Sequence, residues 1–324
     1  KKPLKTGRRL GCNTRILGDT LVDIPEDSQV HRQVIRKKPE PHDIKLAPHV
    51  ELFFVKVNEP NMHDPLGDFE RLCQSLRQQY SSSFQKGHSF TCSLPTLRDL
   101  QKVLRESLWQ ITVAVYDGKQ IKGVWPGQKE TIFGLAVDVG STTLSAQLCN
   151  LKTGEVIASA GTMNPQIRFG EDLMSRVSYL MMNPDDMTGM TREVRTAINY
   201  LAAQTTNEVG SDPSNIVDVV LVGNPIMHHI LLGIDPTELG GAPFALATDM
   251  ALNITAEELD LYFNPSATAY ILPCIAGHVG ADTAAVILAH NPLSTKEMTL
   301  IIDIGTNAEI VLGNCDRVLA CSCP

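Results

Sequence analysis

The chain has 324 residues, of which 43% are hydrophobic and 20% charged, a composition typical of globular proteins with about two domains. Its formal net charge of -8 excludes a broad nucleic-acid-binding surface. No apolar run approaches the roughly 20 residues of a membrane helix, and KKPLKTGRRLG is not followed by the apolar segment of a secretory signal. We therefore expect a cytoplasmic protein that binds neither nucleic acid nor membranes.

Eight cysteines are scattered along the chain with no CxxC pair and no zinc-ligand spacing. We expect most of them to be reduced and buried as small apolar residues. Cys321 and Cys323 alternate along one predicted strand, but two ligands do not make a metal site. Burial is the better interpretation for them as well.

The amino-terminal part of the chain contains the short motif GRRLGC, which ends at Cys12. Residues 17–47 are rich in proline and charge and poor in large apolar residues, which predicts a linker. The chain begins at Lys1 without a methionine and ends at Pro324 directly after a predicted strand. We interpret it as truncated at both ends.

Residues 48–129 have the pattern of a small α+β domain. A strand with the sequence ELFFVKV precedes an amphipathic helix, and Thr96 with Asp99 predicts a capping box that opens a second helix. Asp117 and Gly118 then predict a hairpin turn between two strands. This region contains no catalytic constellation.

The central pattern of the chain is IFGLAVDVGSTTLSAQL at 132–148, which we call the first hairpin. An apolar strand delivers Asp138 to a turn of small residues, and a second apolar strand follows. The turn residues are Gly140, Ser141, Thr142 and Thr143.

The same design returns in TLIIDIGTNAEIVL at 299–312, the second hairpin, with Asp303 followed by Gly305, Thr306 and Asn307. Glycine lets the backbone approach an anion, turn amides and hydroxyls donate hydrogen bonds, and an aspartate can hold Mg²⁺ through water. One copy alone could be an ordinary buried strand and turn. Two copies predict a clamp for one triphosphate, and no lysine occupies the position that a P-loop enzyme requires.

Between the hairpins, the segment NPQIRFGEDLMSR leads into a helix whose apolar stripe predicts core packing. Its polar residues need partners, and we expect some of them to line the nucleotide or partner cleft, without assigning which. They are Asn164, Gln166, Arg168, Glu171, Asp172 and Arg176.

A buried strand with the sequence IVDVVLV ends in a Gly-Asn-Pro turn, which is followed by His228 and His229. Adjacent histidines cannot share one helical face, so packed or capped histidines are favoured over catalytic ones. In the insertion that follows, Thr255 and Glu258 predict a capping box at the start of a helix. The helix ADTAAVILA then leads to the second hairpin.

The two hairpins resemble the phosphate motifs of the acetate kinase, sugar kinase, Hsp70 and actin (ASKHA) superfamily. More specifically, nearly the whole chain resembles the ATP-dependent reductive activators of corrinoid proteins. The motifs that carry this likeness are GRRLGCNTRI, HRQVIRK, NPQIRFGEDLMSR, VGNPIMHHILLG, GHVGADTAAVILA and LACSC.

The resemblance implies an α/β fold with an actin/Hsp70/sugar-kinase-like (ribonuclease H-like) ATPase domain at 130–324, incomplete at its carboxy-terminal end. It also implies a remnant of a 2Fe-2S ferredoxin-like domain at 1–16, a linker at 17–47 and a middle α+β domain at 48–129. In the intact parent, Cys12 would be the fourth ligand of the cluster. The other three thiolates are absent from this chain.

The resemblance also implies roles for both hairpins. Asp138 and Asp303 would hold magnesium through water and order the attacking water, as catalytic residues. The β-phosphate side would be bound by Gly140, Ser141, Thr142 and Thr143, and the γ-phosphate side by Gly305, Thr306 and Asn307.

The implied function of the parent protein couples ATP hydrolysis to electron transfer from the 2Fe-2S cluster to a Co(II) corrinoid protein. The partner would be a corrinoid iron-sulfur protein or a corrinoid methyltransferase subunit, and the oligomeric state stays open, with a homodimer as one alternative. Two other functions stay open: a small-molecule kinase of the same superfamily, and a non-catalytic module that binds a corrinoid protein.

Overall fold

The computed structural model describes residues 17–18, 46–84, 87–305 and 307–323. The chain divides into two units, Lys1–Val34 and Ile35–Pro324, and every helix and strand of the described residues belongs to the second unit. Residues 1–16 and nearly all of the predicted linker lie outside the described residues. Within the described ranges, no helix has the length and apolar character needed to cross a membrane.

The first part of this second unit is a four-stranded sheet covered by two helices. Alternating apolar residues on the strands pack against Leu72 and Leu76 of one helix and Leu100 and Leu104 of the other. The strand order is β1-β3-β4-β2. In chain order the elements are β1 (Val50–Lys56), α1 (Asp68–Gln79), β2 (Thr91–Cys92), α2 (Leu94–Glu106), β3 (Gln110–Tyr116) and β4 (Gln120–Pro126).

The second part is a six-stranded mixed sheet with the order β7-β6-β5-β8-β10-β9. Strands β5, β6 and β7 form an antiparallel meander, β8 runs parallel to β5, and β10 runs parallel to β8. Its strands are β5 (Phe133–Val139), β6 (Thr143–Asn150), β7 (Val156–Met163), β8 (Ile216–Val222), β9 (Leu252–Thr255) and β10 (Thr268–Ile271). The helices between them are α3 (Leu173–Met182), α4 (Met187–Glu208) and α5 (Pro225–Leu232).

Helix α6 (Ala281–His290) leads to a third sheet, an antiparallel meander of β11 (Thr299–Ile304), β12 (Ala308–Gly313) and β13 (Val318–Cys323). Apolar side chains of this sheet are exposed, among them Leu300 and Ile302. Cys321 and Cys323 are exposed as well, so the expectation that they are buried is wrong.

Hydroxyl groups connect the small sheet to the six-stranded sheet. Ser266, which precedes β10, contacts the hydroxyls of Ser93 and Thr96, the latter at 2.7 Å. Ser93 is also the residue that caps α2, because its side chain accepts a hydrogen bond from the Thr96 amide. The prediction that Thr96 and Asp99 form the cap is therefore wrong. The cap residue is Ser93, about one turn earlier, and the Thr96 hydroxyl contacts Ser266 instead.

Candidate functional site

The two hairpins line the same cavity, which has a volume of about 670 Å³. The predicted site residues on its walls are Asp138, Gly140, Ser141, Thr142, Thr143, Asp303, Gly305 and Asn307. Thr306 and Cys12 lie outside the described residues. The fold thus brings together residues that are more than 150 positions apart in the chain, and their roles stay predictions.

The first hairpin turns sharply at residues 140–142, which we call the first turn. Val139 pairs with Leu144 across the turn, and Asp138 pairs with Ser145. A Cβ at Gly140 would lie 2.5 Å from the carbonyl oxygen of Thr143. Because no side chain fits there, the close turn requires glycine.

The second hairpin turns after Ile304, which pairs with Ala308, and we call residues 305–307 the second turn. Asp303 pairs with Glu309 across β11 and β12, and the Gly305 amide donates to the Asn307 carbonyl at 2.9 Å. Glu309 also lines the cavity. Burial, together with the charge of Asp303, raises the pKa of the Glu309 carboxyl, although a hydrogen bond from Ser322 opposes the shift.

Asp282, at the beginning of α6, lines the cavity and is not among the predicted site residues. The amides of Ala281 and Asp282 donate to the Gly223 carbonyl at 3.0 Å and 3.4 Å, which fixes α6 to the end of β8. A Cβ at Gly280 would lie 2.6 Å from this carbonyl oxygen, so only glycine permits the contact. The small residues of the motif GADT therefore permit the close contact that brings the Asp282 carboxylate to the cavity. They are the sequence signal from which its position could have been predicted.

Four carboxylates thus face one cavity: Asp138, Asp282, Asp303 and Glu309. Burial raises the pKa of Asp282 to about 6, and the charges of the other three carboxylates add to the shift. Like charges at close range repel unless a cation lies between them. The arrangement therefore favours a bound cation.

Magnesium fits this donor set. Mg²⁺ prefers oxygen ligands and usually keeps several water molecules while it contacts one or two carboxylates. Among the described residues, no three His, Cys, Asp or Glu side chains are close enough to hold an ion directly. Coordination through water by Asp138 and Asp303, as predicted, is compatible with that spacing.

The polar residues of the segment 164–176 do not line the cavity, so the expectation that some of them line the nucleotide cleft is wrong, while the alternative of a partner cleft stays a prediction. Asn164, Gln166 and Arg176 are buried beneath the first turn instead. Two of the other residues have surface roles: Arg168 forms an ion pair with Glu193, and Asp172 caps α3. The motif thus contains both buried and surface polar residues, a difference that its polarity alone did not indicate.

His228 and His229 are buried in α5 and do not line the cavity. His229 contacts the Pro225 carbonyl at 2.9 Å through Nδ1 and accepts from the Ala247 amide at 3.0 Å through Nε2. Burial lowers the pKa of His228 to about 4. These contacts agree with the expected packed histidines.

Three family models match the chain in succession. They are the RACo linker region at residues 40–131, the RACo middle region at 133–293, and the C-terminal domain of RACo, the ASKHA domain, at 297–324. These names differ from the predicted ones, because the region that we expected to be the middle domain, 48–129, matches the linker region. The predicted domain bounds stay predictions.

Two curated proteins are similar to this chain. The corrinoid activation enzyme RamQ of Eubacterium limosum is 32% identical over 218 residues, which cover 67% of this chain and 36% of RamQ. The Methanosarcina barkeri reductase of the Co(II) methylated amine-specific corrinoid protein is 23% identical over 202 residues, which cover 59% of this chain and 36% of the reductase.

A solved structure, the reductive activator for corrinoid, iron-sulfur protein, superposes with a TM-score of 0.75 and 31% sequence identity. The match covers 93% of this chain and 49% of that protein. The chain therefore spans about half the length of the solved relative and about a third of the curated ones. The match and the ASKHA model together confirm the predicted fold class.

Proposed function

The chain belongs to the RACo family, and we propose that it forms the ATP-binding part of an enzyme that reductively activates a corrinoid protein. The observation that carries the proposal is the single cavity lined by both hairpins and four carboxylates. The proposal also draws on relatives whose names describe corrinoid activation and corrinoid protein reduction. It includes ATP, Mg²⁺, a cytoplasmic location and a corrinoid protein as the partner.

In this proposal the hairpins bind the triphosphate from two sides. The first turn and Thr143 contact the β-phosphate side, and Gly305, Thr306 and Asn307 contact the γ-phosphate side. Asp138 and Asp303 would hold Mg²⁺ through water, and they would orient the water that attacks the γ-phosphate. When bound, Mg²⁺ would neutralise charge on the phosphate oxygens, which phosphoryl transfer requires.

The 2Fe-2S cluster belongs to the proposal for the full-length protein only. A 2Fe-2S cluster takes four ligands, and the described residues contain no group of three side chains that could hold a metal. The mechanism proposed for this chain therefore includes no step through a cluster. The assignment of Cys12 as a cluster ligand is part of the proposal for the full-length protein, in which Cys12→Ala should abolish the visible absorbance of the cluster.

The test of the nucleotide site is calorimetric titration of this chain with Mg²⁺ and a non-hydrolysable ATP analogue. We expect saturable binding that Asp138→Asn and Asp303→Asn each weaken about tenfold to hundredfold, as for groups that orient metal ligands. Asp316→Asn is the matched control, because Asp316 lies in the exposed turn between β12 and β13, away from the cavity.

Two results would overturn the proposal for this chain: no binding by the wild-type protein, or unchanged affinity in both cavity variants. Phosphate release is measured in parallel with and without small sugar and acid acceptors. Release that depends on an acceptor would favour the small-molecule kinase instead.

A further inference from the structure

We infer that Arg176 and Asn164 are positioning residues, which hold the first turn from below so that its amides face the cavity. The purpose of this arrangement, phosphate binding, rests on the proposed function. The arrangement itself rests on hydrogen bonds between described residues.

Three consecutive carbonyls of the first turn accept hydrogen bonds from buried donors. Asn164 Nδ2 donates to the Gly140 carbonyl at 2.8 Å, and the Asn164 amide donates to the Thr142 carbonyl at 2.8 Å. Between them, Arg176 Nη2 donates to the Ser141 carbonyl. Since Asn164 and Arg176 are 1% and 0% exposed, all three carbonyls point into the protein.

The direction of these carbonyls fixes the direction of the amides. In a trans peptide the C=O of one residue and the N–H of the next lie in one plane and point in opposite directions. The amides of Ser141, Thr142 and Thr143 therefore point away from Asn164 and Arg176. They point towards the cavity, which Ser141, Thr142 and Thr143 line. Successive amides turned to one side form an anion-binding concavity.

Arg176 also places a positive charge directly behind the first turn. Its other hydrogen bonds go to uncharged acceptors: the Gly170 carbonyl at 3.1 Å, Met227 Sδ at 3.1 Å and Gln166 Oε1 at 3.4 Å. Burial lowers the pKa of Arg176 to about 10, so the side chain stays charged at neutral pH. A buried cation is costly by itself, and an anion in the cavity would offset that cost.

The first test compares two arginine variants. Arg176→Lys keeps the positive charge but loses the planar guanidinium group, whose several N–H donors reach different acceptors. Arg195→Lys is the matched control, because Arg195 donates to the Leu231 carbonyl and to Asp260, away from the cavity. Both are titrated with Mg²⁺ plus a non-hydrolysable ATP analogue, and with inorganic triphosphate, at a temperature where circular dichroism shows them folded.

We expect Arg176→Lys to bind both ligands about tenfold to hundredfold more weakly, as for a lost hydrogen bond from a charged donor. Arg195→Lys should stay within about twofold of the wild type, because its contacts do not reach the first turn. Equal affinity of the two variants would overturn the inference.

A second readout needs no ligand. Hydrogen exchange at the Asn164 amide reports directly on its bond to the Thr142 carbonyl. Arg176→Lys should accelerate this exchange at least about tenfold relative to Arg195→Lys, and unchanged exchange would contradict the inference. If the wild-type chain binds neither ligand, the proposed function fails while this exchange still decides the inference.

An asparagine pair serves if Arg176→Lys does not fold. Asn164→Ser removes the Nδ2 donor from the Gly140 carbonyl without adding a charge. Asn199→Ser removes an equivalent donor from the Asp260 carbonyl in a remote place. Weaker triphosphate binding in Asn164→Ser alone supports the inference, and equal binding in both variants overturns it.

Discussion

The first and second hairpins have the same sequence pattern but different surroundings. In the first, Leu135 and Val139 flank Asp138 and are 2% and 1% exposed. In the second, the residues at the same distance from Asp303 are Leu300 and Ile304, which are 58% and 82% exposed. The same pattern therefore occurs in two different surroundings, and helices and strands from elsewhere in the chain determine its burial.

The hairpins also differ in what faces the aspartate across the strand pair. Asp138 pairs with Ser145, a neutral donor, while Asp303 pairs with Glu309, a second carboxylate. Like charges directly opposite each other destabilise an antiparallel pair. The second hairpin thus adds a second carboxylate to the wall of the cavity.

The largest expected effect comes from one substitution made in both hairpins. Leu135→Ala removes a buried side chain and should lower the free energy of unfolding by about 3 kcal/mol. Leu300→Ala, at the equivalent position, should lower it by less than about 0.5 kcal/mol, because the site is exposed. Urea denaturation measures both, and equal losses would contradict the comparison.

A smaller effect on the free energy of unfolding is expected from one carboxylate within the six-stranded sheet. Burial raises the pKa of Asp218 on β8 to about 6, although His49 and Lys122 oppose the shift. The ionised form of Asp218 therefore destabilises the folded protein. This destabilisation is complete above the raised pKa and is lost at acidic pH, where the carboxyl is neutral.

Asp218→Asn should consequently raise the free energy of unfolding by about 2 kcal/mol at pH 8. The gain should fall by more than half at pH 4.5, where the folded wild type is already protonated at this position. Denaturant titrations at both pH values measure the difference. A gain independent of pH would show that packing, rather than charge, is responsible.

The smallest effect belongs to the second hairpin. Glu309→Gln removes the like-charge pair with Asp303 and keeps an acceptor for Ser322. We expect a gain of about 0.5 kcal/mol at pH 7, which disappears as the pH falls below the raised pKa of Glu309. Ser322→Ala is the companion variant: it should abolish the hydrogen bond without changing the charge, and it should not reproduce the gain.

Local patterns predicted much of the fold. Alternation predicted both hairpins, and helical spacing predicted the buried face of α1 with Leu72 and Leu76. The capping box of Thr255 and Glu258 also forms, with Glu258 accepting from the Thr255 amide at 2.8 Å. However, it opens the short 3-10 helix Glu257–Leu259 rather than an α-helix, because Asp260 adopts a left-handed conformation and ends the turn.

The candidate site was predictable only where one segment carried its own signal. Asp138 and Asp303 follow apolar strands, so each could be read locally. Asp282 enters the cavity because Gly280 packs against the Gly-Asn-Pro turn, a contact between distant segments. The burial of Arg176 depends likewise on the first turn and on Met227, which no spacing rule connects.

The attachment of α6 has a mechanical consequence for the cavity. The beginning of α6 is bonded to the Gly223 carbonyl, whereas Thr295 and Lys296 are bonded to Cys315 and Asn314 of the third sheet. Only residues 291–294 separate α6 from the segment that is bonded to the third sheet, and Asn291 has a left-handed φ of 42°. Because β11 is about 20 Å long, a rotation of about 10° about residues 291–294 would move the second turn by about 3 Å.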